Sequence, residues 1–424
     1  MLKTAFIVGT QSGCGKTTVM LALLQTLKNQ NLTIQAFKAG PDFLDPFWHQ
    51  VITQSPSYNL DTKMMGVEAC RHQLSTQTET VDVALIEGAM GLFDGATGVG
   101  ELGSSAHLAA TLSVPVILVV DAKGMSGSIV PLVAGFCDYA DKLGFQISGI
   151  IANRVGSDHH ATLLDGLLSD HQLSPLLGWM KKNAPVLPER HLGLTPPEET
   201  NVPDFSAEFT LKKRDLLKAL APFNSPTITP NQSPALLAGK TIAIANDAAC
   251  CFIYPANLDW LIAQGAKLHF FSPIKGDDLP PDSDALWLPG GYPELYTQAL
   301  SESSSWVSIN QFIAADKPVL AECGGAMLLG EFIIDLDGKS WPMANSLPYG
   351  SVMKDRLVSL GYRQENSGIR GHEFHHSARI NAENLPSCFE LNRGDKGIRY
   401  KKVRASYIHW YFASAPNVIA GWLS

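Results

Sequence analysis

A chain of 424 residues, 45% apolar and 17% charged, has the composition of an ordinary soluble protein and is long enough for two buried cores. Its formal net charge of −8, with no concentrated basic stretch, argues against nucleic acid or an anionic membrane surface as a partner. Seven cysteines at irregular spacing, with no C-x-x-C pair, suit neither a disulfide framework nor a structural zinc site, so reduced thiols and a cytoplasmic location are expected.

The first residues run directly into an apolar strand, which leaves no room for a cleavable signal, and no apolar run reaches the roughly 18 residues of a membrane span. From residue 1 to about 190, short β-branched runs alternate with helical patterns. Ala5–Val8, Ile34–Lys38, Val83–Glu87, Val116–Asp121 and Ile147–Asn153 read as buried strands, and Thr17–Lys28 as a helix with Leu21, Leu24 and Leu27 on one side. This alternation predicts an α/β fold with a mostly parallel sheet, whose strand ends at Gly9, Lys38, Glu87, Asp121 and Asn153 share one ligand-binding rim. Between about 183 and 238, Pro185, Pro188, Pro196, Pro197, Pro203, Pro222, Pro226, Pro230 and Pro234 interrupt any long element, with room for a short helix in 207–220. The expected organisation is therefore a first domain over 1–190, a Pro-rich linker over 191–238 and a second α/β domain over 239–424. In the second domain the rhythm resumes at Thr241–Ala245, Ala266–Phe271, Ala285–Leu288 and Val319–Ala321, and the tail from about 350 alternates like antiparallel strands.

Between the first strand and helix lies Gly9-Thr10-Gln11-Ser12-Gly13-Cys14-Gly15-Lys16-Thr17-Thr18. In such a loop the glycines, here Gly13 and Gly15, let backbone N–H groups curl around phosphates at a helix N-terminus. Lys16 would reach the β and γ phosphates of ATP, the Thr17 hydroxyl would ligate Mg²⁺, and Thr18 would follow it in the first turn. Gly9 stands one residue earlier than the usual P-loop spacing, with Thr10 in its place. That substitution resembles the dethiobiotin synthetase-like branch of P-loop proteins. Gln11 stands where dimerising switch ATPases of the ParA/MinD type carry a lysine.

Two further segments reach the same rim. Lys38-Ala39-Gly40-Pro41-Asp42-Phe43-Leu44-Asp45 gathers a lysine and two carboxylates there, and Glu87-Gly88-Ala89-Met90-Gly91-Leu92-Phe93-Asp94 ends a strand on an acid. Glu87 and Asp42 are candidate Mg²⁺ groups. Asp42, Asp45 and Asp94 also read as turn formers beside Pro and Gly.

Near residue 320, Val319-Leu320-Ala321-Glu322-Cys323-Gly324-Gly325 puts a cysteine on a tight strand-to-helix turn. The helix N-terminus is expected to lower the thiol pKa, and the Gly324 N–H to bind an oxyanion. The Gly290-Gly291 pair of Leu288-Pro289-Gly290-Gly291-Tyr292 would complete the oxyanion hole through Gly291, and His409 is the natural base. This set resembles the class I glutamine amidotransferases. Their usual His-x-Glu is missing, because Trp410-Tyr411 follows His409, so the pattern is similar to the CobB/CobQ-type subgroup and leaves the third triad member unassigned.

His372-Glu373-Phe374-His375-His376 matches the H-E-x-x-H zinc-protease pattern, which works only on a helix. No helical periodicity surrounds it. A strand here would send His372 and His376 to one face and Glu373 and His375 to the other.

Taken in order, GTQSGCGKTT, KAGPDFLDP, EGAMGLFDG, LPGGYPELY, AECGGAMLLG, GHEFHHS and SYIHWYF resemble the cobyrinate a,c-diamide synthases over residues 4 to 412. The resemblance implies a dethiobiotin synthetase-like P-loop domain joined to a class I glutamine amidotransferase-like domain. It implies ATP- and glutamine-dependent amidation of the a and c carboxylates of a corrinoid tetrapyrrole, with Mg²⁺ as cofactor. It also implies Asn153 as an adenine reader, and Lys38, Asp45 and Asp94 at the carboxylate substrate, with a homodimer as a candidate assembly. Hydrogenobyrinate or a nickel tetrapyrrole would suit the same motifs. A P-loop switch ATPase with a degenerate amidotransferase domain is the reading of a different class.

Overall fold

The computed structural model describes residues 3–95, 102–187, 189–190, 193–194, 201–223 and 235–424. Its residues group into two compact units, Met1–Thr62 with Gly66–Thr229, and Lys63–Met65 with Pro230–Ser424. Much of the Pro-rich stretch, including Pro188, Pro196, Pro197, Pro226, Pro230 and Pro234, lies outside the described residues.

The first unit alternates strand and helix: β1 (Lys3–Gly9), α1 (Lys16–Lys28), β2 (Ile34–Ala39), α2 (Leu44–Thr53), β3 (Tyr58–Leu60), α3 (Val67–Thr76), β4 (Val83–Gly91), α4 (Ser105–Leu112), β5 (Val116–Asp121), α5 (Ile129–Lys142), β6 (Ile147–Val155), α6 (Asp158–Asp170) and β7 (Leu176–Lys181). The seven strands are parallel in the order β7-β6-β5-β1-β4-β2-β3, with Phe209–Leu211 antiparallel along β7 and Ala221–Pro222 against the start of β1. β1 lies between β4 and β5, with β2 and β3 beyond the one and β6 and β7 beyond the other, so the strand order reverses beside it. The crevice at its carboxyl end is where such sheets hold ligands. Register places Gly9 beside Gly91 and Val119, Lys38 beside Glu87, and Asp121 beside Asn153, so the five predicted strand ends do share one rim. In α1 burial runs from Val19 through Leu24 and includes Leu27, wider than the single leucine stripe read from sequence. The expected short helix occupies Lys213–Ala219, after the edge strand Phe209–Leu211.

The second unit is built on five parallel strands in the spatial order Lys267–Phe271, Thr241–Ala245, Ala285–Leu288, Val319–Glu322 and Val403–Ser406, closed by antiparallel Ile398–Tyr400. Alternation along them sends Ala243, Ala245, Leu286, Leu288, Val319 and Ala321 into one apolar cluster. Ile242, Ile244, Trp287 and Leu320 enter a second, with Trp410 and Phe412. The tail is antiparallel as expected in Ser359–Gln364, Arg370–His375 and Ile408–Tyr411, but Val403–Ser406 departs from the pattern and joins the parallel sheet beside Val319–Glu322. No helix among the described residues is long and apolar enough to cross a membrane.

Candidate active site

In the first unit, the loop between β1 and α1 turns on Gly13 and Gly15, both in the left-handed region, at φ 77° and 85°. A Cβ at Gly15 would lie 2.0 Å from Asn153 Nδ2, so only glycine fits between loop and strand end. Asn153 Nδ2 donates to the Cys14 carbonyl at 2.8 Å, and its Oδ1 accepts from the Arg154 N–H at 2.8 Å. The structure thus occupies this side chain as a brace under the phosphate loop. Lys16, Thr17 and Thr18 open α1, all half-buried.

Below the loop the acids converge. Thr17 Oγ1 donates to Glu87 Oε1 at 2.6 Å, with Asp45 Oδ1 3.5 Å away. The Lys38 ammonium, 3% exposed, pairs with Asp45 Oδ2 and lies 3.5 Å from Glu87 Oε1 and 4.0 Å from Asp42 Oδ2. Three carboxylates against one buried ammonium leave a negative surplus. Burial weakens the charged form of each group, and the pairing restores it unequally. Burial, then the Glu87 charge, raise the Asp45 pKa. Burial also opposes ionisation of Glu87, but Lys38, His49 and Lys16 outweigh it and hold that carboxyl well below its usual range.

His49 escaped the sequence reading. Fully buried on α2, it meets Glu87 Oε2 through Nε2 at 2.8 Å and Ser57 Oγ through Nδ1 at 2.9 Å, while Ser57 Oγ donates to the Ala36 carbonyl. Thirty-eight residues separate it from Glu87, and no local pattern marks it. Asp42 acts as the turn former foreseen, accepting the Leu44 N–H at 2.8 Å, with its second oxygen toward Lys38. Asp94 Oδ2 accepts the Gly91 N–H at 2.9 Å, so the turn reading accounts for its contact. No three His, Cys, Asp or Glu side chains among the described residues form a ready-made metal cage. Mg²⁺ does not require one, since it binds through one or two carboxylates with phosphate oxygens and waters. The Thr17 hydroxyl beside Glu87 and Asp45 is an all-oxygen set of that kind.

In the second unit, Cys323 joins Val319–Glu322 to the short helix Gly324–Leu328 at φ 47° and ψ −114°, a strained conformation for a non-glycine residue. It is held by its N–H on the Ser406 carbonyl at 2.7 Å. His409 lies on Ile408–Tyr411. A Cβ at Gly290 would fall 2.3 Å from His409 Cε1 and 3.1 Å from Cys323 Cβ, so thiol and imidazole converge over this glycine. A Cβ at Gly324 would lie 3.1 Å from Gly291 N, which brings the two expected oxyanion donors together. Gly290→Ala should therefore push the imidazole aside and cut glutamine hydrolysis about a hundredfold, measured as glutamate release.

The lowered thiol pKa expected from the helix N-terminus is not found. Burial, then the charge of Glu294, push the Cys323 thiol up, against only one favourable bond from the Gly324 N–H. The following helix is five residues long, too short for a large dipole. Burial, together with His372 and His375, holds the His409 pKa well below the ordinary imidazole range, with Glu373 opposing. Cysteine and histidine therefore meet as neutral partners.

Glu322, beside the nucleophile, is 1% exposed; it accepts the Trp410 N–H at 3.0 Å and the Trp287 indole N–H at 3.3 Å. Burial outweighs both bonds and raises its pKa to about 8. The folded state keeps this proton where the unfolded chain has lost it, so the group destabilises the fold progressively as pH rises from about 4.5 to about 8. The melting temperature of Glu322→Gln relative to the parent should thus rise across pH 5 to 8 by roughly 5 °C, read by thermal melts at matched ionic strength.

The H-E-x-x-H run forms the strand Arg370–His375. Glu373 bonds His375 Nε2 at 2.9 Å and the Arg363 guanidinium, away from His372, as strand alternation requires. Two histidines on a helical face, the condition for that zinc motif, are not formed.

These features define a class: a P-loop nucleotide-binding unit and a cysteine amidotransferase unit in one chain. The family model for the CobQ/CobB/MinD/ParA nucleotide binding domain matches residues 5–194, and that for the CobB/CobQ-like glutamine amidotransferase domain matches residues 241–417. The chain is 38% identical to the cobyrinate a,c-diamide synthase of Herminiimonas arsenicoxydans over 98% of its own length and 95% of the relative's. It is 37% identical to those of Syntrophotalea carbinolica, covering 97% and 96%, and Salmonella typhimurium, covering 99% and 97%. The chain belongs to the cobyrinate a,c-diamide synthase family.

Proposed function

We propose that this chain uses ATP and glutamine to amidate the a and c carboxylates of cobyrinate in cobalamin biosynthesis, and that Cys323 supplies the ammonia. The reading is carried by the convergence of Cys323 and His409 over Gly290 in the same chain as a complete phosphate loop. Relatives of nearly equal length bearing the cobyrinate name favour that substrate over hydrogenobyrinate or a nickel tetrapyrrole.

A carboxylate at neutral pH is a poor electrophile and needs activation. In this reading a substrate carboxylate oxygen attacks the γ-phosphorus of ATP, releasing ADP and leaving an acyl phosphate. Ammonia then displaces phosphate to form the amide. Gly13, Gly15, Lys16, Thr17 and Thr18 would cradle the nucleotide phosphates, with Asn153 bracing the loop. Mg²⁺ would be held by Thr17 and Glu87, with Asp42 and Asp45 close by, and would offset charge on the transferring phosphoryl group. Lys38 and Asp45 would face the carboxylate end of the substrate; Asp94 would shape its turn.

At the second centre the Cys323 proton passes to His409 as sulfur attacks the glutamine side-chain carbonyl. The Gly291 and Gly324 N–H groups would bind the oxyanion. His409 returns the proton to the leaving nitrogen, ammonia departs, and water hydrolyses the thioester to glutamate. Starting from a neutral pair, the thiolate forms only as the substrate is attacked. This protects a buried thiol from alkylation and oxidation between turnovers.

The deciding experiment measures ADP release and product mass with Mg²⁺, glutamine and cobyrinate, hydrogenobyrinate or no tetrapyrrole. Cobyrinate-dependent ADP release with a doubly amidated product is expected. ADP release indifferent to any tetrapyrrole, with glutamine intact, would overturn the reading in favour of a switch ATPase.

A further inference from the structure

The amidotransferase unit lacks the carboxylate two residues past the catalytic histidine, where Tyr411 stands. What the structure provides beside His409 is a second imidazole. Arg370–His375 and Ile408–Tyr411 pair antiparallel with His372 directly opposite His409, and a cross-strand pair places both side chains on one face. The rings stack at 5.9 Å between centroids with 23° between planes. On its other side His372 stacks with Phe374, at 6.4 Å and 14°, and the Phe374 carbonyl lies 4.0 Å from Cys323 Sγ. The strand that carries His372 therefore borders the nucleophile as well as the base.

His372 is 7% exposed, and its Nδ1 has no hydrogen-bond partner among the described residues. Burying such an atom unpaired costs about 1–3 kcal/mol. A phenylalanine would fill the same space without that cost, so packing alone does not account for a histidine here.

We propose that His372 is a positioning residue for glutamine hydrolysis, acting through His409: its ring fixes the plane of the base, and its protonation state governs whether His409 can accept the thiol proton. The proposal rests on Cys323 and His409 being the glutaminase pair. The charges around the two rings set the sign. His409 is faced by His372, feels the charges of His375 and Glu373 from the far side of that strand, and shares the space over Gly290 with Cys323. His372 feels the charges of Arg363 and Glu373 from the other face of its sheet, and burial, then Arg363, lower its pKa to about 4. At neutral pH His372 is uncharged and offers no repulsion when His409 becomes imidazolium. Once His372 takes a proton, a second positive ring must form against the first, which is unfavourable in a buried setting.

Two variants separate the two contributions. His372→Phe keeps a stacked ring and removes the titrating neighbour. His409 then gains a proton more readily, so the acid limb of kcat/KM for glutamine hydrolysis should move to higher pH, with kcat at the optimum within about threefold of the parent. His372→Leu removes the stack, and kcat should fall about tenfold or more with KM for glutamine nearly unchanged. Amidation driven by ammonium chloride should be unaffected in both, which also reports folding. An acid limb for His372→Phe that coincides with the parent, or a His372→Leu kcat within twofold of it, overturns the proposal. Cys323→Ser assayed in parallel keeps the two ideas apart. If it still hydrolyses glutamine, the glutaminase assignment itself has failed. If it is inactive while both His372 variants match the parent, only the role of His372 has failed.

Discussion

Cys323→Ser should abolish amidation driven by glutamine while amidation driven by ammonium salts continues at a rate near the parent's. The expectation follows from a division of labour between two compact units, one holding the phosphate loop and its acids, the other the thiol. A serine hydroxyl is isosteric enough to keep the strained turn, at φ 47°, because the bond that Cys323 N–H donates to the Ser406 carbonyl belongs to the backbone and survives the substitution. It lacks the nucleophilicity of sulfur, and His409, whose pKa burial depresses, is too weak a base to compensate. A loss of at least about 10³-fold in glutamine hydrolysis is expected, as for removal of a covalent nucleophile. The checks are glutamate release, and product mass with ammonium chloride in place of glutamine at pH 8.5 to 9, where unprotonated ammonia is plentiful. Loss of both activities would mean that the thiol also serves the ATP-dependent step. Retention of glutamine use would remove Cys323 from the mechanism.

The two centres were legible to different depths, for a physical reason. The phosphate loop and the nucleophile turn are each built from consecutive residues, because tight backbone turns demand glycines at fixed offsets, and such demands are visible in a linear string. Gly15 and Gly290 show why: a Cβ at either would overlap Asn153 or His409. The partners Asn153 and His409, by contrast, arrive from other strands. His409 was found only because a cysteine mechanism requires a base, and His49 was not found because nothing in a P-loop requires a histidine. The sequence does not mark the short edge element β3 or the later strand β7: Tyr58-Asn59-Leu60 is too short to carry a period, and the six residues of Leu176–Lys181 do not alternate apolar with polar. The thiol pKa was misjudged in sign because burial and the charge of Glu294 are tertiary facts, whereas the helix start that suggested a low value is local. Strand alternation did carry across: it predicted that Glu373 and His375 face away from His372, and they bond each other there.

Glu87→Gln should remove most ATP-dependent amidation and leave glutamine hydrolysis at Cys323 in place. Glu87 is fully buried, and both its oxygens are engaged, Oε1 by the Thr17 hydroxyl and Oε2 by His49. An amide in its place presents a donor to one of these two and deletes the charge facing Lys38 at 3.5 Å. The surplus negative charge that attracts a divalent cation is then reduced, because only Asp45 and Asp42 remain to face Lys38. Removing a preorganised charge at a phosphoryl-transfer centre costs about 10²–10³ in kcat. The Mg²⁺ concentration for half-maximal rate should also rise at least about tenfold, because a ligand or its orienting partner is lost. Glu87→Asp retains charge but withdraws it by one methylene from Thr17 and His49, and should fall between the two. His49→Gln, which keeps a polar partner for Oε2, should raise the Mg²⁺ requirement less than Glu87→Gln does. Initial rates of ADP release across a Mg²⁺ titration order the four proteins. An unchanged Mg²⁺ requirement in Glu87→Gln, with kcat alone reduced, would reassign Glu87 from the metal to the brace that holds Thr17 and α2 together.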